Sequence, residues 1–122
     1  MTEQSLDTKI EEYSERITLV SKDINVLREE VKRLEEAHGP HVWWKDYKPK
    51  DPLYIKKQEI GIKVSETFKT LGDMSRELTD FELEIESNDE REIVRSIYGR
   101  CRAKVAELLP YFKYWRNKEQ PL

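Results

Sequence analysis

Cysteine is nearly absent. Cys101 is the only one among 122 residues, which excludes an internal disulfide and agrees with a reducing compartment. Glycine is almost as scarce, with four, and no glycine-rich phosphate loop or nucleophile elbow is among them. No apolar run approaches the roughly 20 residues that span a bilayer. The opening stretch MTEQSLDTKIEEYSE lacks the apolar core of a secretion signal, so a cytoplasmic protein without a membrane partner is expected. Neither charge sign dominates: 22 basic and 25 acidic residues give no whole-chain push toward nucleic acid or anionic lipid. Histidine is limited to His38 and His41, which straddle Gly39 and Pro40. With Asp46 they lack the spacing of a helical ligand pair, and no cysteine-rich or carboxylate-rich loop completes a site. Neither metal nor cofactor is expected.

What is present is helical periodicity. Leu6, Ile10, Tyr13, Ile17, Val20, Ile24, Leu27, Val31 and Leu34 alternate spacings of four and three, an unbroken heptad over residues 3–37. Such a helix is about 52 Å long, and Gly39 and Pro40 end it. Asp51 as N-cap and Pro52 at the first helical position announce a second helix over 52–86. Its seam is Leu53, Ile60, Thr67, Met74 and Phe81 at d with Val64, Leu71, Leu78 and Ile85 at a. The stretch EIGIKV, with Gly61, alternates like a strand and is the weakest part of that assignment. Residues 87–90, SNDE, read as a capping box opening a third helix over 88–109. Its stripe is Val94, Tyr98, Cys101, Val105, Leu108, Phe112 and Trp115. Pro110 interrupts it, so a kink and a continuation to about 117 are expected.

These stripes imply one all-α domain: an elongated antiparallel three-helix bundle, up-down-up, with coiled-coil-like packing. Between helices two and three one register satisfies every layer, Ile85 with Val94, Phe81 with Tyr98, Leu78 with Cys101, Met74 with Val105 and Leu71 with Leu108. It sets Glu82 against Arg95, Glu77 against Lys104 and Phe68 against Leu109. Between helices one and two, Lys9 faces Glu84, Arg16 faces Glu77 and Glu30 faces Lys63, while Asp7 against Glu82 is the poor pair. A homodimer through helix one competes, because an antiparallel copy sets Lys9 against Glu30, Arg16 against Asp23 and Asp7 against Arg28. Leu19 and Val26, outside the seam, would support self-association on top of the bundle.

The loop 38–51 carries the most unusual stretch, HVWWKDYKPKDP at 41–52. Of 12 aromatic residues, four lie between Trp43 and Tyr54 and four between Tyr111 and Trp115. Up-down-up topology brings these two segments to one end. Charge follows: residues 38–57 hold five basic and two acidic side chains, and 91–122 hold eight and three, whereas 58–90 hold three and ten. One end is therefore expected to be aromatic and positive, and the other acidic. The register leaves Val31, Leu34, Leu53 and Ile60 partly bare, so a loop tryptophan or Tyr114 is expected to cap them. What stays exposed is the candidate contact surface: Trp43, Trp44, Lys45, Tyr47, Lys48, Lys50, Tyr111, Lys113, Tyr114, Trp115 and Arg116. Tryptophan, tyrosine and arginine dominate interface energies, and lysines steer an acidic partner, so a protein partner comes first. Single-stranded nucleic acid is the alternative, with lysines on phosphates and aromatic faces on bases. The basic run of Arg91, Arg95, Arg100, Arg102 and Lys104 reads instead as interhelical pairing and solvation.

No catalytic residue is expected. Cys101 falls on a core stripe without a partnering base. EEYSE (Glu11, Glu12, Glu15) and ELTD (Glu77 to Asp80) resemble the EExxE and ExxD elements of all-α nucleotide pyrophosphatases, a resemblance that would imply magnesium held between helices. It covers nine residues. The gap between the two elements far exceeds that family's, and the heptad turns Glu11, Glu12, Glu15 and Asp80 outward, so the chain reads as a non-enzymatic adaptor, regulator or inhibitor.

Overall fold

The computed structural model describes residues 3–38 and 52–114. Within them three helices pack as a bundle: α1 (Glu3–His38), α2 (Pro52–Leu83) and α3 (Asn88–Leu108), followed by a 3-10 segment (Leu109–Tyr114). No strand occurs among the described residues, and EIGIKV is helical, with Ile60, Gly61 and Val64 buried.

The α1 stripe forms one wall of the core. Leu6, Tyr13, Ile17, Val20, Ile24, Leu27, Val31 and Leu34 are all buried, and Ile10 packs partly against them. From α2 come Ile60, Val64, Leu71, Met74 and Leu78, each at most 1% exposed, and Phe81; α2 ends at Leu83, short of the expected 86, and Ile85 in the turn beyond it closes the far end. Fully burying side chains of this size contributes about 1.5–3 kcal/mol each, so this seam dominates the fold's stability. Mid-helix hydroxyls are satisfied locally: Thr18 Oγ1 donates to the Ser14 carbonyl and Ser21 Oγ to that of Ile17, both at 3.0 Å.

Ion pairs fix the relative course of α1 and α2. Arg16 meets Glu77 at 2.9 Å, Lys63 and Lys56 each reach Glu30 at 3.5 Å, and Lys9 lies over the Phe81 ring. Positions rising along α1 thus meet positions falling along α2. Two expected pairs take other partners. Lys9 sits on the Phe81 ring, where Glu84 was expected, and Lys104 pairs with Glu107 on its own helix at 2.8 Å while Glu77 goes to Arg16.

The turn between α2 and α3 is closed mostly by backbone. Glu84 N–H donates to the Phe81 carbonyl and Ile85 N–H to that of Glu82, both at 3.1 Å. Ser87 is the N-cap of α3, accepting from the Glu90 amide, with Asp89 and Glu90 in the first turn beside the positive helix end. Arg95 joins Glu82 across the turn at 2.5 Å.

Along α3 the inward residues are Val94, Ile97, Cys101 and Leu108, with Val105 partly buried. Tyr98 is 36% exposed, which corrects its assignment to the core opposite Phe81. Ile97 takes the inward place. The inward stripe passes through Val94, Ile97, Cys101 and Leu108, which leaves Tyr98 at its edge. Cys101 is buried, with Sγ 3.3 Å from both the Leu71 carbonyl oxygen and Ser75 Oγ.

At Pro110 the helix changes type, and the expected continuation to about 117 is described only as far as Tyr114. The Leu109 amide already donates to the Ala106 carbonyl, an i to i−3 bond. Pro110 has no amide proton, and its ring would clash with the carbonyl four residues back, so the chain tightens into 3-10 geometry. Three residues per turn put Tyr111 and Tyr114 on one side and turn Phe112 onto Phe68, ring centroids 5.4 Å apart and edge to face. Leu109, expected opposite Phe68, is 55% exposed instead.

Candidate functional site

The 3-10 segment ends against the last turns of α1. Tyr114 Oη donates to Glu35 Oε1 at 2.8 Å, and Lys113 Nζ lies 2.9 Å from the same oxygen. Glu35 is held below the usual carboxylate range chiefly by the Lys113 hydrogen bond; burial opposes this, and the Tyr114 hydrogen bond adds a smaller lowering effect. Since Lys56 of α2 reaches Glu30, the end of α1, the start of α2 and the end of the 3-10 segment meet at one pole of the bundle.

Tyr114 supplies the cap expected over this pole. Val31, Leu34 and Ile60 are all buried, and Tyr114, 1% exposed, belongs to the same cluster. A continued α-helix would have stopped at the level of Leu27 to Val31. A rise of about 2.0 Å per residue in place of 1.5 Å adds only ~3 Å over this short segment, and the long Tyr114 and Glu35 side chains span the rest.

Of the candidate contact residues, Tyr111, Lys113 and Tyr114 are described. Tyr114 is buried, so it props the pole from within and presents no ring to a partner. Lys113 is exposed and Tyr111 half-buried. Trp43, Trp44, Lys45, Tyr47, Lys48, Lys50, Trp115 and Arg116 lie outside the described residues. The chain leaves α1 at His38 and enters α2 at Pro52, so both anchors of the segment holding Trp43 and Trp44 are at this pole.

Three residues that shape the pole escaped the sequence reading. Tyr54 and Lys57 are 5% and 1% exposed. Their spacing to Gly61 and Val64 continues a helical stripe, a usable signal masked by the lysine's charge. Glu35 carried no local signal, because its partner Tyr114 lies 79 residues on and Lys113 is next to it. Beside it, an open groove between α1 and the 3-10 segment is lined by Arg28, Val31, Lys32, Glu35, Glu36 and Tyr111.

Glu11, Glu12, Glu15 and Asp80 are all exposed, and among the described residues no group of three or more histidine, cysteine or carboxylate side chains is placed to hold a metal ion. No described helix is long and apolar enough to cross a membrane. No protein-family model matches the chain, and no curated protein or solved structure is significantly similar to it.

Proposed function

We propose that the protein is a non-enzymatic interaction module that docks a protein partner through its aromatic and basic pole. The observation that carries this reading is the joint attachment of Lys113 and Tyr114 to Glu35, which ties the C-terminal aromatic segment to the end of α1 from which the loop with Trp43 and Trp44 departs. In this reading the helices run up-down-up with coiled-coil-like packing, and the loop's aromatic side chains supply hot-spot burial while its lysines steer an acidic surface. Tyr54, Lys57 and Tyr114 are buried at the same pole. The protein acts in the cytoplasm, as adaptor, regulator or inhibitor.

The test compares the wild-type protein with Trp44→Ala in affinity capture from a lysate, beside fluorescent single-stranded oligonucleotide titrations at low and moderate salt. One captured protein, lost with Trp44→Ala, is the expected result. Oligonucleotide binding that weakens steeply with salt and is lost on replacing Lys45 and Lys48 would overturn it in favour of nucleic-acid binding.

A further inference from the structure

The two poles differ in charge as well as in aromatic content. Residues 80–92 hold seven acidic side chains and one basic, Arg91. Glu82 is engaged by Arg95, but Asp80, Glu84 and Glu86 make no ion pair among the described residues. In their midst stands Leu83, the last residue of α2 and 75% exposed, the barest large apolar side chain described. At the opposite pole the groove between α1 and the 3-10 segment has an apolar floor, Val31 and Tyr111, under a rim that includes Arg28 and Lys32. Glu35 is neutralised there by Lys113 and Tyr114. Among the described residues Arg28 hydrogen-bonds the neutral Asn25 side chain, at 3.3 Å, and makes no ion pair, and neither does Lys32. With Glu36 the one remaining acid, the rim is net cationic.

We propose that copies of this protein associate head to tail, the acidic α2–α3 hairpin of one seating Leu83 in the α1/3-10 groove of the next, with Glu84 and Glu86 against Arg28 and Lys32. No molecule can fill its own groove. The hairpin lies level with Lys9, which covers Phe81, and the groove lies about 20 residues further along α1, roughly 30 Å away. The two surfaces are different, so the contact is heterologous and propagates into open chains unless its rotation closes a ring. One apolar knob and a pair of exposed ion pairs make a small interface, so the association is weak and screened by salt. It uses neither Trp43 nor Trp44 and goes beyond the docking reading above.

Sedimentation velocity on the full chain tests this, using a hairpin variant, Leu83→Ser/Glu84→Gln/Glu86→Gln, and a groove variant, Arg28→Gln/Lys32→Gln. All five positions are on the surface, and circular dichroism checks that each variant stays folded. Wild-type protein is expected to exceed its monomer mass of 14.7 kDa as concentration rises at low salt and to return to it at high salt. Each variant alone stays monomeric. An equimolar mixture of the two restores one intact hairpin and one intact groove, giving a 1:1 dimer and nothing larger. Trp44→Ala assembles like the wild type. Monomer mass at every concentration, or a mixture that fails to pair, overturns the proposal. So does a dimer surviving both variants, which would move the contact to the Leu19 and Val26 face of α1, and so does loss of assembly in Trp44→Ala, which would move it to the loop.

Discussion

The two ends of the bundle are closed by different physics. At the hairpin, residues 81–95 close on one another: two backbone bonds, the Ser87 cap and the Arg95–Glu82 pair. At the opposite pole closure is long-range, since Tyr114 and Lys113 reach Glu35 across most of the sequence. Local closure costs little chain entropy and is written in adjacent residues. Distant closure forms only once the bundle has folded, and it depends on each side chain that bridges it.

The largest effect is therefore expected at Tyr114. Tyr114→Ala removes a buried ring from the core cluster and should cost about 3–5 kcal/mol, as for other large aromatic truncations, read from urea denaturation. A loss below ~1 kcal/mol would mean that the aromatic pole is closed by something else.

Tyr114→Phe keeps the ring and deletes the bond to Glu35, for which about 1–2 kcal/mol is expected by the same measurement. At the hairpin, Ser87→Ala removes one cap and should cost ~0.5–1 kcal/mol, because the backbone bonds of the turn survive it. If Ser87→Ala proved the more damaging of the two, the contrast between the poles would be reversed.

The acid response should also be lopsided. Glu35 has a folded-state pKa below its ordinary 4.5, so its contribution is fully present above that value and is lost as pH falls through the lower one. Melting temperature should therefore fall more between pH 6 and pH 3 in the wild type than in Glu35→Gln, and by only a few degrees because Glu35 is partly solvated. Equal acid sensitivity in both proteins would remove Glu35 from the pole's support. The smallest effect is expected from Arg16→Ala, below about 1 kcal/mol, since the Arg16–Glu77 pair is exposed and sits midway between the poles.

The same contrast governs what could be read in advance. The α1 stripe was legible because a repeat over nine positions leaves one face to bury. Ser87 and Pro110 were legible because capping and the missing amide proton act on the nearest turn. The inward choice of Ile97 over Tyr98 was not, since it depends on two neighbouring helices at once. Nor was the reach of the 3-10 segment, because the change in rise per residue follows from Pro110 but its length does not. Buried Lys57 was masked by its charge, and the Glu35 bridge was hidden because it joins parts of the chain far apart in sequence. Of the candidate contact residues, Tyr111, Lys113 and Tyr114 fall in the described 3-10 segment, and Tyr114 takes the capping place that was its other expected role.

The most direct test is a pair of spin-label distances, with cysteines placed on exposed positions in a Cys101→Ser background. Labels at Glu36 and Leu109 should lie within about 20 Å of each other, and labels at Glu86 and Leu109 some 30–35 Å apart, as 3-10 and α-helical rises require. A Glu36–Leu109 distance beyond ~40 Å, or one longer than Glu86–Leu109, would contradict the shared aromatic and basic pole.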